Sequence, residues 1–449
     1  MTTMLVLIGV LGLPAIGLRF LCVGHSCDEA ATAASDVPFC SLEAELRSRI
    51  SAGFREGRSP EVLAVARADS IAGGTGFARN QLAPPWPSSV VGGARVPIAF
   101  SGEGVVRTPI PEGTPVTGIA PTLAAIIDFD RPFPEVRSGE PIEGVAGGQG
   151  PRLLLQVILK GVGSDDLEAR PDDWPYLRGL MDEGAATMNG DTGSLPLDPT
   201  AVISSVGTGG SPSQHGITGE FVRMSEGRLV RAFSEEADTP VIATLGDDLD
   251  EDLGQRPRIG FVGATATDRG AIGGEWYGST SDVDEIVIDP RDQVGPAVAL
   301  LGGERQRTGR AGGGGPRDGG FGADGVPDLM SVVMEGGIPK LDRGLKRIAA
   351  AADEASDGSV ALVVTATGSM PVASEVNGAE IARDVDEAVG ERVTEAAVPG
   401  GLFLDQGALT ELELSEDLVI EELERLRGPE GDLFADVFPA IAVTFARFC

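Results

Sequence analysis

The side chains of this chain that could carry chemistry are few. Thr192, Ser194 and Thr200 form a hydroxyl-bearing stretch around Asp191-Thr192-Gly193-Ser194-Leu195-Pro196. A hydroxyl is a weak nucleophile until a base or a metal lowers its pKa. Lys160, which ends the apolar run Leu153–Leu159, is one candidate base if desolvated, in a Ser–Lys arrangement with Ser194. The competing reading is that these hydroxyls cap a turn and a helix. The chain has only two histidines, His25 and His215. His25 lies between Cys22 and Cys27, a trio lacking the fourth ligand of a zinc site. Cys40 and Cys449 complete the cysteines, so one or two disulfides or free buried thiols are all open.

Three acidic clusters invite a metal assignment: Asp165-Asp166, Asp247-Asp248-Asp250-Glu251-Asp252 and Asp282-Asp284-Glu285. None has the Asp/Asn spacing and Gly turn of a calcium loop, and at this overall charge they are expected to be solvated faces. Asp165 and Asp166 are partial exceptions, because they follow an apolar strand where α/β sites gather.

The elements that would position these residues are legible as short apolar runs bounded by Gly, Pro or Asp. Val62–Ala66, Val96–Phe100, Leu153–Leu159, Ile259–Val262, Leu329–Met334 and Val360–Thr365 read as buried strands. Helical spacing lies between them over Leu42–Phe54, Tyr176–Ala185 and Leu341–Ala355, and again after the N-cap candidate Ser415. Alternating strands and helices imply an α/β fold, a mostly parallel central sheet with helices on both faces. Gly144–Gly150 is the best candidate boundary, and Gly302–Gly325 reads as a surface loop with no phosphate-cradling G-K-[ST].

A net charge of −33 repels phosphate backbones, so neither nucleic acid nor an anionic membrane is an expected partner; a small molecule or a protein is. Only Lys160, Lys340 and Lys346 are lysines, as in salt-adapted or high-GC coding. The apolar run Met4–Leu18 has the length of a signal h-region and is short for a membrane span. A buried strand and turn is the reading preferred there, which puts a cytoplasmic location ahead of a secreted one.

Thr208-Gly209-Gly210-Ser211-Pro212-Ser213-Gln214-His215-Gly216 resembles the "TG-x-x-P-x-x-HG" segment of the alkaline phosphatase superfamily, in particular its type I phosphodiesterase/nucleotide pyrophosphatase branch. Val96–Val105 is similar to that family's "VPLxFxGxGV" strand and Gly118–Ile127 to its "DIAPTLAxLL" segment. Val360–Met370 is similar to the strand ending in "SDHGM", and Leu153–Gly163 to the first strand. The resemblance implies an alkaline phosphatase-like fold with its segments out of order. Residues 1–150 match its C-terminal part, and 151–449 its N-terminal and central parts plus a helical tail. One permuted domain is the simplest account, and the tail of one domain fused to a second is the other.

Carried over position by position, the resemblance places Lys160 where the family has a metal-binding Asp. It sets Ala366 and Thr367 at the "DH" ligands, Phe77 at a ligand His, and Asp268 and Gly270 near the "D…GH" pair. A two-metal centre needs oxygen and imidazole donors about 2.0–2.2 Å from each ion, which Lys, Ala and Phe do not supply. The implied function is a catalytically degenerate member that keeps a binding or structural role, with no cofactor. The alternative is an active phosphoester hydrolase with Ser194 as nucleophile and a divalent metal such as zinc. In the family the motif histidine braces its loop outside the metal cage, and His215 inherits that expectation.

Overall fold

The computed structural model describes residues 38–66, 91–234, 241–273, 276–277, 283–303, 320–369, 378–398, 400–428, 431–445 and 449. Its largest sheet has seven strands, in the order Ala185–Asp191, Arg95–Gly102, Val360–Ala366, Leu153–Lys160, Asp328–Glu335, Ile259–Gly263 and Glu285–Ile288. From Val360–Ala366 onward every pairing is parallel. Arg95–Gly102 runs antiparallel to both of its neighbours. All six strands read from the sequence exist, five of them in this sheet.

The middle strand shows why a run apolar at all but one position was needed. Leu153 to Leu159 are all buried, as a parallel strand covered on both faces requires. Successive side chains alternate between the faces. Leu159 meets Ile338, Leu341 and Leu345 of the helix Ile338–Ala355, together with Trp174 and Leu177. Gln156 instead donates through Nε2 to the Ala271 carbonyl on the opposite face. There the helix Pro199–Thr208 packs against the turn Ala266–Ala271 and the helices Ile119–Ile126 and Leu245–Asp252. Helix Ile338–Ala355 buries Leu341, Leu345, Ile348 and Ala352, a stripe at helical spacing in an alanine-rich segment.

The glycine-rich 144–150 segment is knitted into the domain. Val145 is fully buried and its carbonyl accepts from Val106 N at 2.8 Å. Strands on both sides of it, Arg95–Gly102 and Leu153–Lys160, flank Val360–Ala366 in the same sheet.

A second, antiparallel sheet has the order Thr394–Val398, Gly401–Leu404, Val62–Ala66, Phe434–Pro439. The helices Gly378–Val389 and Glu416–Arg425 cover it, and Ser415 caps the latter as expected. The Cys pairing left open by spacing is a disulfide between Cys40 and Cys449. The expected helix over Tyr176–Ala185 stops at Glu183, because Ala185 already belongs to a strand. Met4–Leu18, Cys22, His25, Cys27, Phe77 and most of the Gly302–Gly325 loop lie outside the described residues.

Candidate functional site

Parallel strands deliver their last residues to one edge, and here that edge gathers ionisable groups. Lys160 closes the middle strand. Glu335, its register partner, closes the next one. Asp268 sits in the turn Ala266–Ala271 that follows Ile259–Gly263. The Lys160 Nζ lies 2.8 Å from Asp268 Oδ1 and 2.8 Å from Glu335 Oε1.

Asp268 is fully buried and fully satisfied: Oδ2 accepts from the backbone N–H groups of Ala264 and Thr265, each at 3.0 Å, while Oδ1 faces the ammonium. Burial works against the Lys160 charge, but Asp268 and then Glu335 outweigh it and hold the pKa above the ordinary lysine value. At neutral pH the group is an ammonium with no lone pair to offer as a base.

Ala366 and Thr367 end the neighbouring strand beside it. Thr367 Oγ1 accepts from Gly161 N at 2.8 Å, and Thr367 N donates to the Leu159 carbonyl. Lys160, Asp268, Ala366 and Thr367 are therefore brought to one strand edge. Gly270 lets that edge close onto the helix Pro199–Thr208, since a Cβ there would fall 3.0 Å from the Ser204 backbone.

Two further acids, Asp198 and Glu220, share the electrostatic field of Lys160 and were missed in the sequence. Asp198 caps the helix Pro199–Thr208, accepting from Thr200 N at 2.8 Å and Glu220 N at 3.1 Å. Its burial raises its pKa, partly offset by those backbone donors and by Lys160. The Glu220 pKa is raised by burial and by the charge of Asp198, against Arg231 at 3.0 Å and Lys160. The Asp198-Pro199 pair is an N-cap signature and was the available signal.

Ser194 and Thr192 are buried, and neither hydroxyl oxygen has a hydrogen-bond partner. No hydrogen bond joins Ser194 to Lys160, whose ammonium is engaged by the two carboxylates. Thr200 is buried in the first turn of its helix.

His215 is fully buried, with Nδ1 accepting from Ile217 N at 3.1 Å and Nε2 3.0 Å from Ser205 Oγ. Ser205 Oγ in turn donates to the Ala201 carbonyl. Burial, then the charges of Arg55 and Arg58, lower its pKa to about 3, so the ring is neutral and Nε2 carries the proton. The motif around it is a packed corner: the Ser213 and Gln214 carbonyls accept from Arg55, and that of Thr208 from Arg131 and Arg137.

The acidic cluster at 247–252 departs from the solvated face expected of it. Asp247, Asp248 and Asp250 are buried. Asp248 Oδ2 takes the guanidinium groups of Arg131 at 2.8 Å and Arg137 at 3.1 Å, and Oδ1 accepts from the Tyr277 hydroxyl. Two arginines supply the countercharge that a burial of this kind demands. Asp165, singled out in the sequence as a partial exception, is instead exposed and paired with Arg95, while Asp166 accepts from Gly163 N. Among the described residues no group of three or more His, Cys, Asp and Glu side chains is placed to hold a metal ion, and no helix is long and apolar enough to cross a membrane.

Fold and site together define an α/β protein with a mostly parallel sheet and a cluster of paired charges at the carboxyl edge of its strands. No family model matches the chain, and no curated protein matches it. Among solved structures it is similar to wild-type alkaline phosphatase PafA, with 13% identity and a TM-score of 0.42 over 62% of this chain and 76% of that one. It is also similar to phosphonoacetate hydrolase from Sinorhizobium meliloti 1021, with 16% identity and a TM-score of 0.37 over 62% of this chain and 74% of that one.

Proposed function

We propose that the chain is a degenerate relative of the alkaline phosphatase superfamily, with segments in permuted order, which has exchanged metal-dependent phosphoester hydrolysis for a binding or structural role. The observation carrying this reading is the Lys160 ammonium seated 2.8 Å from Asp268 and 2.8 Å from Glu335, at the position where the resemblance calls for a metal-binding carboxylate. An ammonium repels a divalent ion and already neutralises the carboxylates that would attract one. Ala366 and Thr367 stand at two further ligand positions, and a methyl group or a hydroxyl already engaged by Gly161 N is a poor substitute for a carboxylate and an imidazole.

These residues do not fit a two-metal centre, and no catalytic step is drawn through one. The Ser194 hydroxyl also lacks an activating partner: Lys160 is held as its ammonium and both His215 nitrogens are engaged. Permutation draws support from strand Arg95–Gly102, which completes the same sheet as Leu153–Lys160.

The test is turnover of p-nitrophenyl phosphate and bis-p-nitrophenyl phosphate by the full chain with added zinc, manganese or calcium. No turnover above that of heat-denatured protein is expected. Metal-stimulated turnover that a strong chelator abolishes and Ser194→Ala removes would replace this reading with the hydrolase.

A further inference from the structure

The two ends of the described chain are fastened to each other. Helix Pro38–Ser41 carries Cys40, bonded to Cys449 across a sequence separation of 409. Next to it, Phe39 is fully buried and meets the ring of Phe438 edge-on, with centroids 5.3 Å apart. Phe438 belongs to Phe434–Pro439, an edge strand of the second sheet, whose one strand partner among the described residues is Val62–Ala66. The short helix Ile441–Thr444 also rests on Pro38–Ser41. A strand paired on one side only, as this one is among the described residues, is open to fraying. The disulfide lies at that edge and closes the long loop from Cys40 to Cys449.

We propose that Cys40–Cys449 is a redox-controlled latch that holds the edge strand Phe434–Pro439 in its sheet, and that the protein therefore matures in an oxidising compartment outside the cytosol. Formation is thiol–disulfide exchange. The two protein thiols reduce one disulfide of a protein or small-molecule oxidant, the Sγ–Sγ bond forms, and two thiols leave as the oxidant's reduced form. In a reducing cytosol the exchange runs backwards, and the edge keeps its strand pairing, the covering helix Glu416–Arg425 and the Phe39–Phe438 contact without the covalent tie. A cross-link closing so long a loop strongly restricts the unfolded chain. That restriction is lost when the bond is reduced.

Two readouts on the full chain test this. First, cells that naturally produce the protein are lysed into acid and alkylated before any reduction, and peptides are mapped by mass spectrometry. A linked Cys40–Cys449 peptide is expected, and recovery of both cysteines alkylated would overturn the proposal. Second, thermal unfolding of the purified protein is compared with that of the Cys40→Ser/Cys449→Ser variant, which leaves Cys22 and Cys27 untouched. A midpoint lower by about 5 °C or more is expected, preceded by protease cleavage near the C-terminal strand. A midpoint and cleavage pattern equal to those of the oxidised wild type would also overturn it. If the variant does not accumulate folded, the same comparison is made on wild type with and without a phosphine reductant. There, unchanged unfolding despite loss of the Cys40–Cys449 cross-link counts against the latch.

Discussion

Lys160 Nζ and Asp268 Oδ1 stand 2.8 Å apart at the carboxyl edge of the sheet, the carboxylate fully buried and the lysine side chain 18% exposed. Removing one partner leaves the other charge stranded in a medium that solvates it poorly. Lys160→Ala is therefore expected to cost roughly 3–5 kcal/mol of folding stability by urea denaturation. Lys160→Met together with Asp268→Asn should recover much of that loss, because no buried charge is left unpaired and Glu335, 40% exposed, is solvated by water. Equal destabilisation by the single and double variants would mean that the pair does not act as a pair.

Replacing the ammonium by a carboxylate inverts the electrostatics. Lys160→Asp sets a third acid beside Asp268 and Glu335, and the repulsion should make the variant unstable until a cation enters. Its unfolding midpoint is expected to rise with added calcium or manganese, reflecting a gain in stability of about 2.7 kcal/mol at a hundredfold excess over Kd. The wild-type midpoint should not respond. A variant indifferent to both ions would show that the edge lacks the geometry of a cation site.

His215 predicts a pH signature. The unfolded chain takes up a proton on this ring below pH 6.5, whereas the folded chain does so only near about 3, because burial and then Arg55 and Arg58 oppose the imidazolium. Stability contributed by the neutral ring is present above pH 6.5 and is lost as pH falls toward about 3. Asp328, pushed up to about 6 by burial, acts in the opposite sense, favouring the folded state at low pH and losing that contribution as pH rises through about 6. The comparison must therefore be between wild type and His215→Gln. The variant should be less stable at pH 7 and show a flatter decline on acidification; parallel pH profiles would contradict the assignment.

Much of the architecture was legible in the chain, and the failures have physical reasons. Leu153–Leu159 and Val360–Thr365 announce themselves because strands buried on both faces are apolar at nearly every position. Ala185–Asp191 was missed: Ala-Ala-Thr-Met-Asn-Gly-Asp has little β-branched character and takes its conformation from the neighbouring strand Arg95–Gly102. The burial of Asp248 was invisible because the countercharges that permit it, Arg131 and Arg137, are more than a hundred residues away in sequence. The Lys160 position was readable, but its partner Glu335 was not, since only sheet register brings them together.

The Asp248 cluster yields a prediction independent of any function. Burial lowers the Arg131 pKa to about 10, with Asp248 as its main opposing charge. Asp248→Asn leaves Arg131 and Arg137 buried against carbonyls and each other, and should destabilise by roughly 3–5 kcal/mol, with the Tyr277 hydroxyl losing a charged acceptor as well. A loss below about 1 kcal/mol, the scale of an exposed pair, would contradict the buried cluster.

Ser194→Ala separates a structural hydroxyl from a chemical one. The hydroxyl is buried without a partner, so deleting it should change stability by no more than about 1 kcal/mol or raise it slightly. A loss well beyond that would reveal a hydrogen bond that the folded chain makes to this oxygen.

The claim that Lys160 occupies the place of a cation is tested most directly by elemental analysis of the purified, extensively dialysed full chain. The expected result is less than a tenth of an equivalent of zinc, manganese, calcium or magnesium per chain, on the order of what nonspecific carriage leaves behind for an acidic protein. Two equivalents of a divalent metal per chain, retained through dialysis and lost only to a strong chelator, would contradict it.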